Sequence, residues 1–269
     1  CPFCNHYKKK LGVNLRTHKW QCWVCSKKGG SLTYLLAQAG APKEDVAAMS
    51  SLVGDKPSHK QHHTRAVDSL PADYKSLHIQ LDTPAYKQAL HYAVAERGLS
   101  GLDILRYQVG FCDSGPFGGM LIIPSYDCNG MLNFYTGRSY YKQDIKFKNP
   151  PISRDIIGFE SQINWKEPII LVEGAFDAIT AKRNAIPLFS KKILGNLRSK
   201  IVRERVKEIY LCLDSDALKD SVAEVEYFMN NGIAVHLVQL PGKDPNEVGF
   251  DAVLDARHKS MPLNLMDLV

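Results

Sequence analysis

The chain has 269 residues, enough for one large domain or two to three small ones around a true hydrophobic core. Its 45% hydrophobic and 23% charged residues are those of a soluble globular protein and exclude a disordered or fibrous one. No apolar run approaches the about 18 residues of a membrane span, and the net charge of +6 is gathered near one end.

The chain opens on Cys1 rather than Met, so an upstream segment is expected and the absence of a secretory leader carries little weight. Residues 1–65 hold eleven Lys or Arg against three Asp or Glu, whereas the rest of the chain is close to neutral. A basic head suits a phosphate-backbone partner, although it also suits a plain solvated face. Within that head, CPFC at 1–4 and CWVC at 22–25 set two CxxC knuckles 17 residues apart. Tetrahedral zinc takes four soft ligands, and each knuckle delivers two thiolates, so Cys1, Cys4, Cys22 and Cys25 are the expected ligands. Two disulfides are the alternative. The other cysteines, Cys112, Cys128 and Cys212, make a reducing compartment the more natural setting.

Between the knuckles, Leu11, Val13 and Leu15 alternate as in a small ribbon that turns near Arg16–His18. Trp23 is expected in the little core. Trp20 is expected to be exposed and, with Lys19, to contact a template by stacking on an unpaired base. Gly29-Gly30-Ser31 then leads into a short helix over 32–39. The ribbon is assigned to 1–43 and a linker to 44–80, whose KPSHKQHHTR stretch at 56–65 lacks apolar residues.

From Tyr86 the spacing is helical up to Gly98, and a second helix with a turn follows in LDILRYQVGF. MLIIPSYDCNGMLNFYTGRSYY predicts two strands joined at Asp127–Gly130, the second delivering Gly137-Arg138. In the following KQDIKFKNPP, Lys142, Lys146 and Lys148 interleave with Tyr140, Tyr141 and Phe147. Such alternation suits a groove for a single strand or a nucleoside triphosphate, or else an edge strand with its lysines in water.

Residues 168–250 repeat a strand–helix rhythm. Strands are predicted at 169–172, 209–213 and 233–240, and helices at 175–183 and 221–230. Functional groups of a parallel sheet gather beyond the carboxyl ends of its strands, where Glu173, Asp214, Asp216 and Asp244 fall. Carboxylates converging there would repel one another unless a hard divalent cation, Mg²⁺ or Mn²⁺, lay between them. Asp177, in the first turn of a helix, belongs to that metal shell or serves the helix dipole.

Three stretches, ILVEG at 170–174, LCLDSD at 211–216 and GKDP at 242–245, resemble the motifs of a TOPRIM domain. Along nearly its whole length the chain resembles bacterial-type (DnaG-type) DNA primases, the bacteriophage members most closely. Arg97-Gly-Leu with Tyr107-Gln-Val-Gly110, Ile123-Pro124 with Gly137-Arg138, and Ile145–Pro150 are similar to that family's core motifs. Gly195-Asn196 stands where the family has Gly-Thr, Ser215 where it has Gly, and four cysteines where bacterial members have three and a histidine.

The resemblance implies an α/β fold: an α+β polymerase core from 81 to 165, a TOPRIM parallel-sheet subdomain from 166 to 250 and a segment 251–269 continuing the core, beside the small zinc ribbon. It implies synthesis of short RNA primers on single-stranded DNA, with structural zinc and catalytic Mg²⁺ or Mn²⁺. Asp214, Asp216 and Asp244 would hold the metals, and Glu173 would join them or act as a base. Arg138, Lys142, Lys146 and Asn149 would grip nucleotide or template. The implied partners are ribonucleoside triphosphates, a replicative helicase and a single-strand-binding protein, in a cytoplasm that is the host's if the chain is phage-encoded. A TOPRIM nuclease and a zinc-finger recombination mediator are the alternatives. The mediator has no use for the residues between finger and TOPRIM domain.

Overall fold

The computed structural model describes residues 1–4, 10–25, 27–53, 67, 69–141, 145–190, 192–213 and 222–264. They fall into two units, Cys1–Thr64 and Arg65–Val269.

In the first unit β1 (Leu11–Val13), β2 (Trp20–Cys22) and β3 (Lys28–Gly29) form an antiparallel sheet in that order. Asn14 makes the β1–β2 turn, its Oδ1 accepting from the N–H groups of Arg16 and Thr17 at 3.0 and 2.9 Å. Ser31 caps α1 (Leu32–Gln38) by accepting from the Tyr34 N–H. A second helix, α2 (Lys43–Val53), occupies the start of the stretch read as linker. Its acidic first turn, Glu44 and Asp45, favours a helix start, and Met49 and Val53 cover the buried Trp20, Leu32 and Leu35.

The second unit begins with β4 (Tyr74–Ser76) and α3 (Pro84–His91), capped by Thr83. A π-turn at Tyr92–Glu96 follows, then α4 (Gly101–Arg106) with a reciprocal Ser100–Asp103 capping box. Next come β5 (Gly110–Cys112), β6 (Met120–Tyr126), β7 (Leu132–Ser139) and β8 (Phe147–Lys148). These strands make a five-stranded antiparallel sheet in the order β4-β5-β6-β7-β8. The β6–β7 hairpin is set by Asp127, whose Oδ1 accepts from Asn129 and Met131, and by Gly130 at φ 76°.

The parallel part runs β9 (Ile169–Val172), α5 (Ala175–Ala181), β10 (Ala185–Pro187), α6 (Gly195–Arg203), β11 (Glu208–Cys212), α7 (Val222–Asn230) and β12 (Ala234–Leu237). Two helices, α8 (Pro245–Val248) and α9 (Phe250–Lys259), follow. The strand order β10-β9-β11-β12 is parallel throughout, as the uninterrupted apolar IILV strand requires for burial on both faces. Period-two alternation divides β9 between two cores. Ile170 and Val172 join the cluster holding Phe111, Leu121 and Phe134 of the antiparallel sheet, while Ile169 and Leu171 face Ile201, Val225 and Phe228. From β9 the chain moves outward to β10, and from β11 it moves the opposite way to β12. The sheet's switch point therefore lies between the carboxyl ends of β9 and β11, where Val172 pairs with Cys212.

The mixed α/β architecture with its parallel sheet and a cysteine-bearing ribbon is the one expected. The segment after 250 begins as α9, whose Val253 and Ala256 enter the core shared by both sheets.

Candidate functional site

In the first unit the four knuckle cysteines converge, with all Sγ atoms within 4.8 Å of one another. Cys1 and Cys25 are 3.8 Å apart at sulfur, and Cys4 and Cys22 are 3.9 Å apart. Zinc–thiolate bonds of about 2.3 Å place tetrahedral sulfurs about 3.8 Å apart, so the donor set and its dimensions fit Zn²⁺. They do not fit disulfides, whose sulfurs would be about 2.05 Å apart. Burial acts to raise the Cys22 thiol, but N–H groups of Cys25 and Val24 outweigh it and hold Cys22 below its ordinary value. Burial pushes Cys25 up to about 11. Four thiols crowded this closely favour deprotonation only when a cation shares the charge.

The two tryptophans exchange the places expected of them. Trp20 is 4% exposed: it stacks on Phe3 at 5.2 Å and donates its Nε1–H to the Ser31 carbonyl at 2.9 Å. Trp23 is 70% exposed. The reason is the strand period: Cys22 must turn toward the ligand cluster, so Trp20, two residues earlier in β2, turns the same way. Gly29 lies opposite, where a Cβ would fall 2.6 Å from the Trp20 ring. Stacking of Trp20 on a base is thereby corrected. Lys19 is exposed and lines a groove of about 640 Å³ together with Trp23 and Lys28.

In the second unit a cleft of about 620 Å³ lies at the carboxyl edge of the parallel sheet. One wall is acidic: Glu173 directly follows β9, Asp177 lies in the first turn of α5, and Asp244 precedes α8. Asp177 Oδ2 accepts from the Gly174 N–H at 3.0 Å, and Asp244 Oδ1 accepts from the Glu247 N–H at 2.9 Å. Both carboxylates thus also serve helix starts. The facing wall is basic, with Arg138 from the end of β7 and Lys146, Phe147 and Asn149 from and around β8. The Arg138 guanidinium lies 4.2 Å above the Phe147 ring, and Asn149 Oδ1 accepts from the Thr136 hydroxyl at 2.8 Å. With its carbonyl so engaged, Asn149 presents its amide N–H groups as donors.

Glu173, Asp177, Asp244, Arg138, Lys146 and Asn149 therefore share one cleft, 138 to 149 on one side and 173 to 244 on the other. Asp214, Asp216 and Lys142 lie outside the described residues. Among the described residues, the four cysteines are the one His, Cys, Asp or Glu group whose ligand atoms converge. The side chains of Glu173, Asp177 and Asp244 are hard oxygen donors, the chemistry that Mg²⁺ or Mn²⁺ takes.

Residues not assigned from sequence also line the cleft: Arg97, Arg154, Lys243 and Asn246. Arg97 stood in a noted motif without a role. Asn246 carried no signal, because its contact with Arg97 joins positions 149 residues apart.

No protein-family model matches the sequence. Uncharacterized protein MG010 of Mycoplasma genitalium is 24% identical over 178 residues, 61% of this chain and 80% of that protein. The fold is similar to a solved DnaG primase catalytic domain bound to single-stranded DNA, with TM-score 0.57, 19% identity and coverage of 68% of this chain and 74% of that one. It is also similar to the E. coli primase catalytic core, with TM-score 0.57, 20% identity and coverage of 68% and 76%. The zinc-binding and RNA polymerase domains of the Aquifex aeolicus primase match 98% of this chain and 78% of theirs, with TM-score 0.55 and 18% identity.

Proposed function

We propose that the chain is a DnaG-type DNA primase, joining ribonucleotides into a short RNA primer on single-stranded DNA. The observation that carries this reading is the cleft itself. It sets carboxylates against arginine, lysine and amide donors at the switch point of a parallel sheet, within a primase-like fold. A nucleotidyl transfer needs those two chemistries side by side: anionic groups that hold divalent cations, and cationic forks that hold the triphosphate.

In this reading Glu173, Asp214, Asp216 and Asp244 hold Mg²⁺ or Mn²⁺, with Asp177 beside them. Bound there, the cation supplies Lewis-acid stabilisation of the attacking 3′-oxygen and of the departing pyrophosphate. Arg138 grips phosphate oxygens through a planar fork that Phe147 holds flat, and Lys146 and Lys142 add charge. Asn149 donates its amide to a nucleotide oxygen. Glu173 either ligates the cation or takes the proton of the 3′-hydroxyl.

The zinc ribbon reads the template, with Lys19 and Lys28 on its phosphates and the exposed Trp23 stacking on a base. The four-cysteine ligand set supports a phage member of the family, working in a host cytoplasm with a helicase and a single-strand-binding protein.

The test uses single-stranded DNA of mixed sequence, Mg²⁺ or Mn²⁺ and labelled ribonucleotides. Short RNA products that disappear in Asp214→Ala and Arg138→Ala are the expected result. Template cleavage without synthesis would refute the reading in favour of a nuclease.

A further inference from the structure

The second unit contains an arrangement of two arginines around one buried phenol. Tyr92 is 7% exposed, and its hydroxyl oxygen accepts from Arg97 Nε at 2.9 Å, Arg97 Nη2 at 2.8 Å and Arg138 Nε at 3.0 Å. Two guanidinium groups thus meet on a single neutral oxygen. Neither has a carboxylate partner among the described residues. Like charges held this close repel unless an anion joins them, and both arginines line the cleft.

The backbone builds this contact on purpose. In an α-helix, residues five apart sit about 140° round the axis and do not meet. Here the chain makes a π-turn, and the Arg97 N–H donates to the Tyr92 carbonyl at 3.1 Å. That wider turn returns Arg97 to the face of Tyr92, so the same two residues are joined through backbone and side chain. Arg97 is then tied to the opposite wall: Nη1 donates to Asn246 Oδ1 at 3.0 Å, and Asn246 Nδ2 donates to Arg97 O and Thr180 Oγ1 at 3.0 and 3.1 Å. Arg138, by contrast, spends only Nε on Tyr92. Among the described residues its two Nη groups donate to no protein acceptor.

We infer that Tyr92 is a positioning residue that locks Arg97 and Arg138 into a two-arginine clamp for a polyphosphate, Arg97 as the braced half and Arg138 as the presenting half. The inference rests on the primase reading for the identity of its ligand, a ribonucleoside triphosphate. It needs no synthesis to be tested.

The probe is inorganic tripolyphosphate without divalent cation, titrated calorimetrically into the full chain, wild type and Tyr92→Phe. Phe keeps the ring and removes only the shared oxygen. The expected result is binding by wild type that falls about 10- to 100-fold in Tyr92→Phe, the range for hydrogen bonds to charged groups. In an Arg97→Ala/Arg138→Ala background the Tyr92→Phe change should add less than about twofold, because the clamp it orders is gone. Equal binding by wild type and Tyr92→Phe, or an undiminished effect in that background, would overturn the inference and leave the primase reading standing. No binding by wild type would also overturn the inference, while the primase reading, whose phosphates are held with a divalent cation, stands or falls on the synthesis assay. Binding that follows the expected pattern in a chain that makes no RNA would sink the primase reading alone.

A measurement on wild type guards against a variant that folds poorly. Two arginine Nε–H resonances, assigned with Arg97→Lys and Arg138→Lys, should be protected from solvent exchange. Fast exchange at both would also overturn the inference.

Discussion

Replacing each ribbon tryptophan by alanine separates packing from recognition. Trp20 is buried against Phe3, Leu32 and Leu35, with its indole N–H satisfied by Ser31. Its truncation removes the largest side chain of a very small core and should cost about 3–5 kcal/mol. In small zinc modules folding is coupled to metal binding worth about 10–16 kcal/mol, so with zinc on the four cysteines Trp20→Ala should still fold when the metal is saturating. The lost stability should appear instead as an apparent zinc affinity about 150- to 5,000-fold weaker, read by competition with a chromogenic chelator. Trp23, 70% exposed, should leave that affinity within about twofold of wild type when changed to alanine. Its loss should weaken single-stranded DNA binding about 5- to 150-fold, the equivalent of about 1–3 kcal/mol of base stacking. If Trp23→Ala releases zinc as readily as Trp20→Ala, or leaves DNA binding untouched, the division of roles is wrong.

Two further predictions concern the second unit. Asp244→Asn keeps a side-chain acceptor for the Glu247 N–H, and Asn caps helices as well as Asp. It should therefore leave the melting temperature nearly unchanged while lowering RNA synthesis at least about 10²-fold, and a variant of normal activity would remove Asp244 from the metal shell. Burial, aided by Asp73 and Asp113, pushes the Cys112 thiol from 9.0 up to about 12, and burial likewise lifts Tyr74 from 10.0 to about 12. The folded state keeps these protons where the unfolded chain releases them, so stability should fall as pH rises from about 9 toward 12. Cys112→Ala should flatten that decline in thermal melts, and an unchanged slope would refute the assignment.

The parallel sheet was legible because its strands announce themselves. Ile169–Val172 is apolar without interruption and stops at Glu-Gly, so the strand, its burial on two faces and the position of Glu173 follow together. The same holds for the β6–β7 hairpin, where Asp127 and Gly130 mark the turn. Short elements such as β4, β5 and β10, each of three residues, carry too few positions for a period to show. The π-turn at Tyr92 has no local signature either, and the contact of its hydroxyl with Arg138 joins positions 46 residues apart. Helix α2 was hidden by being read with the polar stretch after it. The tryptophans are the instructive case. Aromatic character alone ranks them equally, whereas counting in twos from Cys22, the residue held in the four-cysteine cluster, puts Trp20 inside.

Phe134 of β7 and Phe189 beyond β10 touch with ring centroids 4.7 Å apart, and Phe189 also lines the cleft. The strand that carries Arg138 and the sheet that carries Glu173 therefore meet in part through this aromatic pair, within the core that Ile170, Val172 and Phe159 also fill. A conservative change there, such as Phe134→Leu, would be expected to reach the reaction through geometry, since about 1 Å of misplacement can cost about 10²-fold in rate. On the proposed reading, a core residue behind the cleft thus inherits the tolerance of an active site, and the two walls are not free to drift independently of each other.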